Sequence, residues 1–115
     1  MEKDDTIYLR HVLDAINIIE EYLQGVDEEK FKATRLIQDG VIRQVEIVGE
    51  AIRHISKDLR STYSEIPWQD IAGMRDKLIH DYFGVDLEKV WLTTQEDLPV
   101  LKKQVIGILK DYGQE

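Results

Sequence analysis

Apolar residues recur every three or four positions through most of this chain, and this spacing constrains its fold more than any other feature. Such a period gathers the apolar side chains of each segment on one face of an α-helix. Residues 59–66 are predicted to be a loop, and no segment shows the alternation that is typical of a strand. Short connections between the predicted helices indicate an all-α, antiparallel bundle of four to five helices. The helices are predicted over residues 6–23, 32–57, 67–83, 87–95 and 99–112.

Composition narrows the class of protein further. No linker-like segment interrupts the 115 residues, so residues 1–115 are predicted to form a single domain. The chain has no cysteine, which excludes disulfides, thiolate metal sites and cysteine nucleophiles. The formal net charge of −8 argues against a protein that coats nucleic acid electrostatically, although it leaves room for a small basic cleft. With no signal-peptide or membrane-spanning apolar run, we expect a cytoplasmic location and no membrane partner.

One stretch, residues 75–82 (RDKLIHDY), places polar side chains inside the third predicted helix. Arg75 is in register with the apolar stripe of that helix, where an unpaired guanidinium would be costly. It therefore needs a partner or a polar cleft, and Glu50 of the second predicted helix is the expected partner. Asp76 and His80 are four positions apart, so on a helix the carboxylate can fix the imidazole tautomer and leave the other ring nitrogen for chemistry.

The same helical geometry divides the stretch into two edges. Tyr82 shares the face of Arg75 two turns later, whereas the Asp76–His80 edge lies about 100° away. A substrate that contacts both edges must straddle the helix or meet a second copy of it. The sequence therefore predicts a homodimer whose third helices face each other. A structural interpretation stays open beside it, in which a buried Arg75–Glu50 pair serves only a dimerisation module.

Other catalytic patterns do not occur in the sequence. His11, His54 and His80 fall on three different predicted helices without the spacing of a metal site, so no metal and no cofactor are expected. There is no glycine-rich phosphate loop and no serine in a nucleophile-elbow context. Basic residues cluster between Arg53 and Arg60, shortly before the central stretch. The simplest interpretation of each of them is a solvated helix face.

The central stretch resembles the signature of the HepT-like toxins of the HEPN superfamily. The shared pattern is an arginine, four residues, a histidine, one residue and a tyrosine, with a polar residue directly after the arginine. Asp76 stands where the family often has asparagine, a variation that we expect to be tolerated. The similarity extends over nearly the whole chain. Further segments that look like the family are Gly49-Glu50-Ala51, Ile66-Pro67-Trp68, Gly73-Met74-Arg75 and Leu98-Pro99.

The resemblance implies a homodimeric HEPN bundle that is a metal-independent endoribonuclease, the toxin of a type VII-like toxin–antitoxin pair. Arg75 and His80 would be catalytic on an RNA substrate, with Asp76 and Glu50 in supporting roles. The partner would be MntA, a minimal nucleotidyltransferase antitoxin that transfers AMP to Tyr82 and can form a larger hetero-oligomer with the toxin. The alternative is a non-catalytic helical partner of a nucleotidyltransferase that binds nucleotide or acts as a scaffold.

Overall fold

The computed structural model of this protein describes the backbone of residues 3–80 and 84–113 and the side chains of residues 5–78 and 84–113. Its first half contains α1 (Lys3–Tyr22), α2 (Glu28–Ala33), α3 (Arg35–Arg53) and α4 (Lys57–Thr62). Two short helices follow, α5 (Trp68–Ala72) and α6 (Met74–Leu78), and then two short strands, β1 (Ile79–His80) and β2 (Gly84–Val85). The chain continues through α7 (Leu87–Leu92) and a π-helical segment, Thr93–Asp97, into α8 (Leu98–Asp111).

The three long helices, α1, α3 and α8, pack together as a bundle in which α1 contacts both of the others. Tyr22 at the end of α1 lies against Gly40 near the start of α3, so these two helices are antiparallel. Lys102 in the first half of α8 is ion-paired with Glu20 near the end of α1, at 2.8 Å, so α8 is also antiparallel to α1. The predicted all-α bundle is confirmed.

One apolar core fills the space between the helices, and most of its members come from the helical stripes that the sequence pattern predicts, with Phe31, Leu59 and Ile66 as the exceptions. Complete burial of such a side chain contributes roughly 1.5–3 kcal/mol relative to leaving it in water. No helix in the described ranges is long and apolar enough to cross a membrane. The largest fully buried side chains include those of Phe31, Leu9, Ile16, Ile19, Ile52, Leu98, Ile108 and Leu109.

The second predicted helix, over residues 32–57, begins later than expected. Thr34 has an extended backbone and separates α2 from α3. The buried side chain of Gln38 donates from Nε2 to the carbonyls of Phe31 and Lys32, at 2.9 and 3.0 Å. These bonds satisfy carbonyls that the end of a helix leaves without partners. The predicted long helix is therefore wrong at this end, because a polar side chain from the next helix caps the earlier one.

The other end of that helix is closed in the same way. Arg60 donates from Nη2 to the carbonyl of Ile52 at 2.6 Å and from Nε to the carbonyl of Ile55 at 3.2 Å. α3 therefore ends at Arg53. Because Arg60 caps the end of α3, it is not counted in the basic cluster that the sequence suggested.

The predicted loop over residues 59–66 is also wrong, because residues 57–62 form α4. Ser56 caps this helix by accepting a hydrogen bond from the backbone N–H of Leu59 at 3.2 Å. The buried carboxylate of Asp5 accepts from the backbone N–H and the Oγ of Ser56, at 2.8 and 2.6 Å. Asp5 lies inside α1 and thus fastens this helix to the start of α4.

The third predicted helix, over residues 67–83, does not form as one helix. It is divided at Gly73 into α5 and α6, and α6 ends at Leu78. β1 and β2 then pair antiparallel, with Ile79 opposite Val85 and His80 opposite Gly84, which corrects the expectation that no strand occurs. Gly84 has a φ of +122°, a conformation that favours glycine. This divided segment places Arg75 on a helix and the backbone of His80 on a strand.

The predictions for the remaining helices are largely confirmed. Asp27 and Asp86 cap α2 and α7 through hydrogen bonds from the backbone N–H groups three residues later. The fourth predicted helix does not stop before Pro99, because the π-helical segment runs directly into α8. Pro99 lies in the first turn of α8, directly after the π-helical segment.

Gly49 of α3 marks the closest backbone approach to the segment that carries Arg75. A methyl group at this position would lie 3.1 Å from the carbonyl oxygen of Ala72 and 3.7 Å from that of Ile71. Gly49 therefore lets α5 approach α3 closely. Gly40 makes room for a side chain and not for a helix backbone: the ring of Tyr22 would lie 2.9 Å from a methyl group added at Gly40.

We expect alanine substitutions at two helical glycines to have opposite effects. Gly107 in α8 has nothing within 4 Å of an added methyl group, so Gly107→Ala should stabilise the fold by up to about 1 kcal/mol through helix propensity. Gly49→Ala gains the same propensity but pushes against the Ala72 carbonyl, and it should destabilise the fold. Chemical denaturation of both variants measures the difference. Equal stabilisation by the two substitutions would contradict the contact.

Candidate functional site

Arg75 is the second residue of α6, and its side chain is 47% exposed instead of lying on the core-facing stripe. Its Nε donates to Oε2 of Glu46 at 2.5 Å, and its Nη1 lies 3.5 Å from Oδ1 of Asp76. The hydrogen bond and the charge of Glu46, with a smaller contribution from Asp76, raise the pKa of Arg75 above its ordinary value. The prediction that Glu50 pairs with Arg75 is wrong, because Arg75 pairs with Glu46, one turn earlier in α3.

Arg75 lines a groove of about 430 Å³ between α1, α3 and the junction of α5 with α6, which we call the arginine groove. Its floor contains the small residues Gly49, Ala51 and Ala72. Such a volume lies within the range of about 300–1,000 Å³ that is usual for small-ligand sites. The polar and aromatic side chains around the groove are Tyr8, His11, Arg43, Glu46, Glu50, Arg53, His54 and Arg75.

Two glutamates of α3 hold the cations of this groove in place. Glu46 accepts from Arg75 and also lies 3.6 Å from Nη1 of Arg43. Glu50 lies 3.5 Å from Nη1 of Arg53 and 3.4 Å from Nε2 of His54. The pairs within α3 follow the three- and four-residue spacing at which helical side chains meet. Arg43, Arg53 and Arg75 therefore form a row of cations along the groove, each in contact with a carboxylate.

An aromatic pair closes the end of the groove nearest α1. The rings of Tyr8 and His54 are stacked, with centroids 4.7 Å apart and an interplanar angle of 14°. His11 meets Tyr8 edge-on at 5.7 Å. The Asp5–Ser56 hydrogen bonds hold α1 against the end of α3 close to this pair, so the stack forms where two antiparallel helices are fastened together.

The structure places the predicted site residues only in part. Arg75 and Glu50 line the same groove, and Asp76 is exposed beside Arg75. The helical face that Asp76 and His80 were predicted to share does not form, because α6 ends at Leu78 and the backbone of His80 is extended in β1. The side chain of His80 and the whole of Tyr82 lie outside the described residues.

Sequence reasoning missed part of this site. The sequence pattern did not select Glu46 as the partner of Arg75. Tyr8 lies on α1 and His54 directly follows the end of α3, so their stacking depends on the register of α1 against α3. No local signal in the sequence reports such a contact.

A second groove, of about 620 Å³, lies on another part of the surface, between α5–α6 and α7–α8. Lys77 lines it together with Asp70, whose Oδ1 is 3.4 Å from the Lys77 Nζ, and no arginine lines it. Its volume is larger than that of the arginine groove, but its lining includes more acidic than basic side chains.

In the described part of the chain, no three His, Asp or Glu side chains are arranged to hold a metal ion.

Arg75 is exposed, contacts carboxylates and lies beside a groove lined by basic and aromatic side chains. A site of this class is suited to a phosphate-containing ligand. The profile of the family described as "Ribonuclease HepT-like" matches residues 12–108. The chain belongs to this HepT-like family of the HEPN superfamily.

Individual relatives agree with this assignment. The "Probable ribonuclease HepT" of Thermococcus cleftensis is 44% identical over 102 residues, which cover 89% of this chain and 93% of that protein. A "Putative RNase" of Caldanaerobacter subterraneus is 41% identical over 103 residues, which cover 90% of this chain and 92% of that protein. The "Gamma-glutamylcyclotransferase and putative RNase" of Methanocaldococcus jannaschii is 44% identical over 114 residues, or 99% of this chain, and this chain spans only 51% of that relative. No solved structure matches the chain.

The exposure of the Arg75–Glu46 pair predicts that it contributes little to stability. Ion pairs at the surface are screened by water and are weak, whereas breaking a buried pair is strongly destabilising. We therefore expect Arg75→Ala to leave the midpoint of chemical denaturation nearly unchanged. Arg35→Ala, which removes another exposed ion pair at the far end of α3, is the matched control. A large loss of stability confined to Arg75→Ala would favour the structural interpretation of this arginine.

Proposed function

We propose that this protein is a metal-independent endoribonuclease, the toxin of a toxin–antitoxin pair, with Arg75 and His80 as its catalytic residues. The observation that carries the proposal is the exposed Arg75, ordered by Glu46 at the rim of a groove lined by further cations. The buried Arg75–Glu50 pair of the structural interpretation would instead enclose the arginine, whose side chain is 47% exposed. The family membership and the names of its relatives support RNA as the substrate.

The chemistry needs only groups of this kind. Attack by the 2′-hydroxyl of RNA requires a base for its proton and a cation for the charge that develops on the phosphorus oxygens. A neutral His80 is proposed as the base. Arg75 is proposed to hold the phosphate, because Glu46 engages its Nε and a guanidinium has four further N–H donors. Asp76 and Glu50 are proposed to support the site through their contacts with Arg75 and with the groove cations.

We expect the chain, purified without a partner, to cleave RNA in the presence of excess EDTA. Arg75→Ala and His80→Ala should each lower the cleavage rate by roughly 10²-fold or more, the scale of a lost general base or charge clamp. Arg35→Ala should cleave like the wild type. RNA that is bound but not cut by the wild type would favour the alternative, a non-catalytic nucleotide-binding partner. Cleavage by His80→Ala at the wild-type rate would remove the histidine from the mechanism.

The proposal includes a homodimer in which two copies of the Arg75–His80 segment share one cleft. The resemblance to HepT-like toxins supports it. The expected division of polar residues between two edges of one long helix does not, because that helix ends at Leu78. Sedimentation equilibrium at micromolar concentration is expected to give twice the mass of the chain. A monomer under these conditions, without the antitoxin, would contradict the shared cleft.

Regulation is proposed to occur by transfer of AMP to Tyr82 by an MntA-like nucleotidyltransferase antitoxin. Each AMP unit adds a bulky nucleoside and a negative charge, which would repel the phosphates of RNA from a cationic cleft. Tyr82 follows His80 by two positions in the sequence, so the AMP group would be attached to the chain near the proposed base.

Coexpression with the antitoxin is expected to add one or more AMP units to Tyr82 and to abolish RNA cleavage. Intact-mass spectrometry measures the adduct, and peptide mapping locates it. Tyr82→Phe should receive no AMP and stay active, whereas Tyr22→Phe should be modified and silenced like the wild type. An adduct on Tyr8, Tyr63 or Tyr112 would contradict the assignment, and a Tyr82→Phe protein silenced by AMP transfer would contradict the mechanism.

A further inference from the structure

We propose that the arginine groove is a subsite that holds one nucleotide of a single-stranded RNA next to the scissile phosphate. The base would stack on the Tyr8–His54 pair, and the backbone phosphate would contact the arginines of α3. The inference rests on the proposed ribonuclease function and extends it, because it assigns RNA binding to residues on α1 and α3 that lie outside the Arg75–His80 segment.

The charge of the groove points to an anionic ligand. Three arginines line it against two glutamates, although the whole chain has a net charge of −8. Each of Arg43 and Arg53 makes one ion-pair contact with a glutamate through Nη1. A guanidinium has five N–H donors, so such a contact leaves most of them available. The glutamates therefore orient the cations without using all their donors.

The aromatic pair points to a ligand with a flat ring. Tyr8 covers one face of the His54 ring, while the His54 side chain is still 50% exposed. An exposed ring that is held parallel to a second ring provides a surface on which a nucleobase can stack. Stacking tolerates any base, because every base has a π-face, and it is the usual way in which proteins bind single-stranded RNA.

The shape of the groove fits such a ligand. Gly49 and Ala51 are buried and contribute little or no side chain, so the floor stays low between the arginines and the aromatic pair. The groove is continuous with Arg75, which lines it together with His54. A nucleotide in the groove would thus belong to the same strand as a phosphate held by Arg75.

The proposal is tested with a fluorescein-labelled single-stranded oligoribonucleotide in which every 2′-hydroxyl is methylated, so that the wild-type chain cannot cleave it. Fluorescence anisotropy at several salt concentrations gives the affinity and its salt dependence. Tyr8→Leu and His54→Leu should each weaken binding at least about fivefold, the lower end of the effect of losing one base stack, with an unchanged salt slope. Arg53→Gln should weaken binding and lower the slope by about 0.7, the value for one phosphate contact with a single strand.

Matched substitutions outside the groove control for general effects. Arg35→Gln removes an exposed arginine from the same helix, and Tyr22→Leu removes a tyrosine from the other end of α1. Both should bind like the wild type with an unchanged salt slope. Circular dichroism identifies a variant that has not folded, and in that case Tyr8→Phe, which keeps the ring, should restore both folding and affinity.

The outcomes separate this inference from the proposed function. If wild-type protein cleaves RNA but the groove variants bind the methylated strand as the wild type does, the groove is not a subsite and the ribonuclease proposal is unaffected. If the groove variants lose affinity as described while no RNA is cleaved, the subsite stands and the ribonuclease proposal fails. Absence of binding by the wild type, or equal losses in the Arg35→Gln and Tyr22→Leu controls, would overturn the subsite.

Discussion

The contact between Gly49 of α3 and the backbone at Ile71 and Ala72 sets the geometry on which the candidate site depends. A side chain at position 49 would separate α5 from α3, because the Ala72 carbonyl is only 3.1 Å from where a methyl group would be. Arg75 follows Ala72 by three residues, and Glu46 precedes Gly49 by three. The close approach therefore brings an arginine and a glutamate from distant parts of the sequence into hydrogen-bonding distance.

The distribution of charge has a functional consequence. A chain with a net charge of −8 repels polyanions over most of its surface, and this repulsion suppresses nonspecific binding of nucleic acid. The cations of the arginine groove are local exceptions that Glu46 and Glu50 keep ordered. An RNA strand would then gain electrostatic attraction where it enters the groove. In this arrangement the acidic composition and the proposed RNA substrate are compatible.

The sequence predicted the long helices of the bundle and their core-facing stripes, because these depend on neighbours within a few residues. It failed where a distant side chain decides the outcome. Gln38 and Arg60 end helices by capping carbonyls, and neither bond leaves a trace in the apolar period. The choice of Glu46 over Glu50 as partner for Arg75 likewise depends on how α5 is placed along α3, which no periodicity records.

The division of the central segment changes how the proposed catalytic residues are positioned. In an unbroken helix, the angle between Arg75 and His80 would be fixed by the helical turn. Here Arg75 is held by α6 and Glu46, whereas the backbone of His80 is held by pairing with Gly84, and the Asp86 N–H donates to the Leu78 carbonyl at 2.9 Å. A general base must come within about 2.6–3.2 Å of the proton that it removes. The strand pairing of β1 with β2, and not a helical period, therefore controls the backbone position from which His80 would reach the 2′-hydroxyl.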